Sequence, residues 1–253
     1  MKSSIKTLSA CGVLLLSSAC FVSVEPPAPT EPPAPVATQT ATIVWFPPTA
    51  TYTPRPTAEV SPTANYHPGV GDVILQDDFS DPAVWSTSTD KDASVTVSNG
   101  RINLSLKDDH SYLISTRTSP VFTDFYAEIT ANPNLCHGED EYGFILRDLE
   151  GDHYRLALSC DGRVKVDRFL NGSLSRQAGW LQNGMIPDLA PSSSRLAVWA
   201  AGSELRFFVN DFYLFSVTDT LLFKGTIGVF VHTSGVEDVS VSFSDLKVWE
   251  VIR

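Results

Sequence analysis

The chain has 253 residues, 43% of them hydrophobic, with 18 Lys and Arg against 29 Asp and Glu and a formal net charge of −11. The three basic and three acidic residues before Gly69 cancel, so the whole acidic excess falls on residues 69–253. A surface of that sign repels phosphates, which excludes nucleic acid and anionic membrane surfaces and leaves neutral glycans, cations or basic partners.

The first segment combines a positive start, Lys2 and Lys6, with an uncharged run from Thr7 to Ala19 centred on Val13-Leu14-Leu15-Leu16. It is too short to span a bilayer as a mature helix and reads as a secretory signal over residues 1–19. Its end, Leu16-Ser17-Ser18-Ala19-Cys20, resembles a bacterial lipobox. Cys20 is therefore expected to become the lipidated N-terminus, holding the protein on the cell membrane through its acyl chains with the domain facing outward. A cleaved secretory peptide with an incidental Cys20 is the plainer alternative.

Residues 20–68 follow as a linker. Between Glu25 and Pro68 lie 12 of the 17 prolines, among many Thr and Ala. Proline lacks an N–H and fixes φ, so this composition excludes helix and central strand and predicts a disordered, polyproline-rich stalk.

From Gly69 to Arg253 the signals are those of one all-β domain. Ser98-Asn99-Gly100 separates two alternating runs, Ser94–Val97 and Arg101–Leu106. Leu149–Asp152, Cys160–Arg163, Asn171-Gly172 and Asn210-Asp211 punctuate the chain in the same way. The runs between are short and rich in Val, Ile, Phe, Tyr and Thr, and no segment holds helical spacing over three turns. The expectation is about twelve to fourteen antiparallel strands in two packed sheets.

Four stretches carry a family resemblance: ILQDDFSDPAVW, EYGFILRD through HYRLALSCDGRVKVDRFLNG, RLAVWAAGSELRFFVNDFYLFSVTD, and GTIGVFVHTSGVEDVSVSFSDLKVWE. Together, over residues 73–250, they resemble the concanavalin A-like lectin/glucanase superfamily. Within it, the laminin-G-like and keto-disaccharide-hydrolase-like domains of bacterial lipoproteins are the most similar. The resemblance implies a two-sheet jelly roll in which a first strand near Val73–Phe79 lies beside the last, Val239–Val251. It implies no single activity, because that fold carries lectins, glucanases and adhesion modules.

Glucanases of the superfamily carry Glu-x-Asp-x-x-Glu on one strand, which sets three carboxylates on one face. This chain does not: Glu150-Gly151-Asp152-His153-Tyr154-Arg155 ends on Arg and begins in a turn. A recognition module for carbohydrate is therefore the leading reading. A glycoside hydrolase of keto-disaccharide type and a protein-interaction domain of the cell envelope are the alternatives. A sugar site needs aromatic platforms and planar donors, and Arg147, Tyr154, Arg155 and Trp180 are the candidates. Core packing for Tyr154 and Trp180, and pairing of the arginines with carboxylates such as Asp167, is the competing role for each.

The densest cluster of reactive groups is Cys136-His137-Gly138-Glu139-Asp140-Glu141. Cys136 and Cys160 are the two cysteines of the domain, and an exported chain oxidises such a pair. If the strands around Leu149–Asp152 pair, Cys160 falls opposite about Glu141, and a bend at His137-Gly138 brings Cys136 within reach. A disulfide there removes the thiol as ligand or nucleophile. No cofactor is implied. His137 lacks the further His or Cys a zinc site needs, and the alternative to a solvated acidic loop is a structural calcium, at Glu139 and Asp140 or where Asp77, Asp78 and Asp245 meet.

Overall fold

The computed structural model describes residues 64–235 and 238–253. The signal segment, Cys20 and the linker up to residue 63 lie outside the described residues. Fifteen strands follow in chain order among those described: β1 (Val70–Asp77), β2 (Ser88–Thr89), β3 (Ala93–Ser98), β4 (Arg101–Leu106), β5 (Tyr112–Thr116), β6 (Phe125–Leu135), β7 (Glu141–Leu149), β8 (Asp152–Ser159), β9 (Arg163–Leu170), β10 (Ser173–Gln182), β11 (Ser194–Ala201), β12 (Glu204–Val209), β13 (Phe212–Thr218), β14 (Thr226–His232) and β15 (Val239–Val251).

The hairpins close where the sequence places positive φ. Asn99 and Gly100 sit at φ 53° and 69°, and Asn210 and Asp211 at 50° and 69°. A turn with two left-handed residues matches the twist of its flanking strands.

Nine strands form one antiparallel sheet in the order β13-β12-β11-β6-β15-β4-β3-β2. β1 pairs with the later half of β15, at Val73↔Trp249 and Asp77↔Leu246, which matches the expected pairing of first and last strands. The other sheet has the order β10-β9-β8-β7-β14-β5. Its centre is local, three successive hairpin-linked strands, but β14 and β5 arrive from distant parts of the chain.

The two inner faces share one apolar core. Phe144, Leu156, Val166 and Val229 from the smaller sheet and Ile129, Val198, Phe207 and Phe243 from the larger are fully buried in it. Alternation then sends the neighbours of these residues outward.

The outer face of the nine-stranded sheet is covered where the chain enters the domain. Trp199 Nε1 donates to the Pro68 carbonyl at 2.9 Å, and Arg206 Nη1 to that of Tyr66 at 2.9 Å. The Tyr66 ring stacks on Tyr213 at 4.1 Å, and His67 packs against Tyr126 and Phe208. Residues 66–68 thus strap the larger sheet, and the outer face of the smaller sheet is the one they leave open.

Cys136 and Cys160 form the disulfide, with Cα atoms 5.7 Å apart. The register is one residue off the simplest expectation: Ser159 opposes Glu141, and the Cys160 N–H donates to the Asp140 carbonyl. Asp140 is fully buried. One of its oxygens accepts from the Ser234 N–H and hydroxyl and the other from the His137 N–H. This carboxylate closes a loop by hydrogen bonding.

Asp77 is likewise engaged: it accepts from the Phe79 N–H, Trp85 Nε1 and Arg117 Nε, the last at 2.8 Å. Arg117 supplies there the positive charge that a calcium would bring. Asp245 accepts from the Ser244 hydroxyl. Among the described residues no group of three or more His, Cys, Asp or Glu is arranged to hold a metal.

Candidate functional site

The open face of the six-stranded sheet is built by strand parity. β7 turns Glu141, Gly143 and Ile145 outward, β8 His153, Arg155 and Ala157, and β9 Lys165, Asp167 and Phe169. β14 adds Gly228, Phe230 and His232, and β5 adds Tyr112 and Ile114. Gly143 forms the floor: a Cβ there would fall 1.9 Å from the Leu156 carbonyl oxygen and 3.0 Å from the Phe230 ring. The strands can close up under Phe230 because that position carries no side chain.

The four candidate ligand residues separate onto different surfaces. Tyr154 lies between the sheets, fully buried. It is one residue from Arg155 on the same strand, so the two point to opposite faces and cannot share a site. Arg147 shares parity with Gly143 and Ile145, which would bring it outward. Instead the ladder slips between Leu146 and Leu149, and Arg147 takes φ 54°. The side chain turns into the interior, where Nη1 donates to the Gly202 and Leu222 carbonyls at 2.8 Å and Nη2 to that of Thr123 at 3.0 Å. Arg147 and Tyr154 are structural residues.

Arg155 and Trp180 do share the open face. Trp180, from the edge strand β10, packs on Ile145, Ala157 and Phe230. The Lys165 ammonium and the Arg163 guanidinium lie 4.6 and 4.9 Å from its ring centroid. Arg155 is only 5% exposed. Its guanidinium lies 4.5 Å from the Tyr112 ring centroid, 5.6 Å from Phe230 and 5.8 Å from Phe169. Asp167 is its direct cross-strand neighbour, yet Asp167 is held by Lys165 at 3.2 Å and Arg176 at 3.5 Å. Lys165 also reaches Glu141 at 2.7 Å.

Beside this ion cluster is a cavity of about 220 Å³ lined by Tyr112, Ile114, His153, Arg155, Phe169 and Leu174. Its walls are apolar and its polar groups few, the usual character of a ligand site. His153 Nδ1 is 2.8 Å from the Gly151 carbonyl, while its Nε2 is buried without a partner. Tyr112, Phe169, His153 and Ile114 were not singled out in the sequence. Parity with Arg155 would have found His153, but Tyr112 and Ile114 reach the site only through the long-range pairing of β5 with β14.

Burial raises the Glu141 carboxyl above its ordinary range, opposed by Lys165. His232 stacks on Tyr112 at 4.1 Å. Burial first, then the charges of Lys165 and Arg155, lower its ring from 6.5 to about 4. The unfolded chain therefore takes up this proton as pH falls through 6.5, and the folded chain only near 4, so His232 lowers stability progressively across that window. At ~1.36 kcal/mol per unit, reduced because the ring stays partly solvated, the loss is about 1–2 kcal/mol. Urea denaturation at pH 7 and pH 4.5 should show His232→Asn losing less stability than the parent by that amount. Glu141 shifts the opposite way in both proteins, so the difference between them reports the ring.

No protein-family model and no characterised protein sequence matches the chain significantly. Solved structures do match in fold. The carbohydrate-binding module CBM66 of Bacillus subtilis aligns at 16% identity and a TM-score of 0.53, over 66% of this chain and 96% of that one. The Bacillus licheniformis β-glucanase aligns at 13% and 0.55 over 72% and 99%. The catalytic domain of the Thermotoga petrophila endo-1,3-β-glucanase aligns at 12% and 0.52 over 72% and 98%. The chain has the concanavalin A-like jelly-roll fold.

Proposed function

We propose that the protein is a non-catalytic carbohydrate-recognition module, carried at a bacterial cell surface by a lipid on Cys20 and the Pro/Thr-rich linker. The observation that carries this reading is the Arg155 cavity. Aromatic walls from Tyr112 and Phe169 flank His153, whose Nε2 is buried without a partner, and Arg155, whose guanidinium meets ring faces. Sugars offer an apolar C–H face for such walls and hydroxyls for such groups. The fold is one on which a carbohydrate-binding module and glucanases are built.

Calorimetric titration of the protein with a panel of neutral and acidic polysaccharides tests the reading. Binding to at least one is expected, weakened about tenfold or more in Tyr112→Ala, which removes an aromatic wall. Absence of binding to every member would contradict it.

One observation favours a hydrolase instead. Glu141 and Asp167 both lie on the open face, at 2.7 and 3.2 Å from the same Lys165 ammonium. Their two contacting oxygens are therefore no more than about 6 Å apart, which admits only the short ~5–5.5 Å spacing of retaining glycosidases, and a raised Glu141 suits an acid. The ammonium, however, sits between them, where a glycosidic bond would have to lie. Release of reducing ends from a bound glycan, abolished by Glu141→Gln, would favour hydrolysis over simple recognition.

A further inference from the structure

We infer that the Arg155 cavity takes an acidic sugar, a single ring whose carboxylate meets the Arg155 guanidinium and whose hydroxyl meets His153 Nε2; this rests on the carbohydrate reading above and names its ligand class.

The first ground is the pairing of charges on the open face. Lys165 has Glu141 and Asp167, Arg163 has Asp161 and Glu139, and Arg176 has Asp167. Arg155 is more deeply buried than Arg163 or Arg176, yet among the described residues no carboxylate comes within ion-pair distance and no acceptor takes its N–H groups; Glu141 acts on it only through space. Burying an ion costs several kcal/mol unless a partner offsets it. The ring faces of Tyr112, Phe230 and Phe169 return only ~0.5–2 kcal/mol by cation–π attraction, and they leave the N–H edges unused. A planar carboxylate matches that fork of donors with two parallel hydrogen bonds.

The second ground is the His153 tautomer. The Gly151 carbonyl at 2.8 Å and the Asp148 carboxylate at 3.4 Å both accept, so the Nδ1 beside them carries the hydrogen. When the ring holds that one hydrogen, Nε2 is a bare acceptor. That atom is buried without a partner in the wall that also holds Arg155. A hydroxyl donates to it. The cavity therefore asks for an acidic acceptor and a hydroxyl donor on one molecule, as a uronic acid provides. A neutral sugar leaves the cation unpaired, and a simple carboxylate leaves the imidazole unpaired.

The third ground is size. About 220 Å³ is below the ~300–1,000 Å³ of sites for drug-sized ligands, which fits one ring against Tyr112 and Phe169 better than a chain. The net charge of −11 repels a polyanion at long range. Selection for the acid must then come from contact at Arg155, and affinity should not fall as salt rises from 10 to 150 mM, unlike a binding driven by a basic surface.

The test is calorimetry on the full protein with oligogalacturonate, oligomannuronate and hyaluronan fragments, each beside its methyl ester. Esterification keeps ring, linkage and hydroxyls and removes only the charge. At least one acid is expected to bind tenfold or more tighter than its ester. Arg155→Met should lower that affinity about a hundredfold, as when one member of a buried charge pair is removed, with a melting temperature no lower than the parent's. Arg155→Lys, a point charge without the fork, should recover only a small part. Equal binding of acid and ester, or binding of neutral glycans alone, would overturn the acidic-sugar assignment while leaving the carbohydrate reading in place. So would full competition by dextran sulfate, or undiminished binding by Arg155→Met. No binding to any glycan, acid or neutral, would overturn both.

Discussion

Arg147→Met is expected to destabilise the domain by about 3–5 kcal/mol, the cost of leaving three carbonyls without their donor. The guanidinium is fully buried and is the donor for the carbonyls of Thr123, Gly202 and Leu222. It ties the ends of three connections to the bulge in β7. Methionine fills much of the volume but donates nothing, and each buried carbonyl left unpaired costs about 1–3 kcal/mol. Lysine should not rescue, because one ammonium on a flexible stem cannot serve three carbonyls that the planar fork reaches together. Urea denaturation followed by tryptophan fluorescence measures this directly. A midpoint equivalent to less than 1 kcal/mol of loss would mean that other donors replace Arg147. By contrast, Arg155→Met, the same exchange eight residues later, should not lower stability and should weaken ligand binding about a hundredfold.

The double variant Cys136→Ser, Cys160→Ser is expected to lose about 3–4 kcal/mol. The bridge joins residues 24 apart, and the chain-entropy model assigns that much to a loop of this length. For a domain of this size the loss corresponds to a melting temperature roughly 10 °C lower. The fold should survive, because the core between the sheets is extensive and Asp140 still clamps the loop to Ser234 and His137. The effect on the site should be modest for the same reason: Glu141, the first residue of β7, stays paired with Lys165. Calorimetric melting of the oxidised protein and the double variant reads the difference. Identical melting temperatures would show that Asp140 alone holds the loop.

The parts of the fold legible in sequence were those set by local backbone demands. Asn99-Gly100, Asn171-Gly172 and Asn210-Asp211 adopt left-handed φ because their residue types tolerate it, and each marks a hairpin. The disulfide was legible because a single hairpin brings Cys160 back towards Cys136. The site was legible only in part. Arg155 lines the cavity and Trp180 shares its sheet face, whereas Tyr154 is turned inward by parity, a rule the sequence itself contains. Arg147 fails for a reason the sequence hides, since a one-position slip in the β7–β8 ladder reverses its direction. Tyr112 enters the site because β14 places β5 at the sheet edge, and nothing local to Tyr112 announces that pairing.

Ligand is expected on the open face of the six-stranded sheet at Arg155. Hydrogen–deuterium exchange of the full protein, with and without the tightest-binding uronate oligomer, tests it most directly. Added protection is predicted in peptides covering Tyr112–Thr116, His153–Ala157 and Lys165–Phe169. Protection confined to β11, β12 and β13 on the strapped sheet, or none anywhere at saturating ligand, would contradict the account.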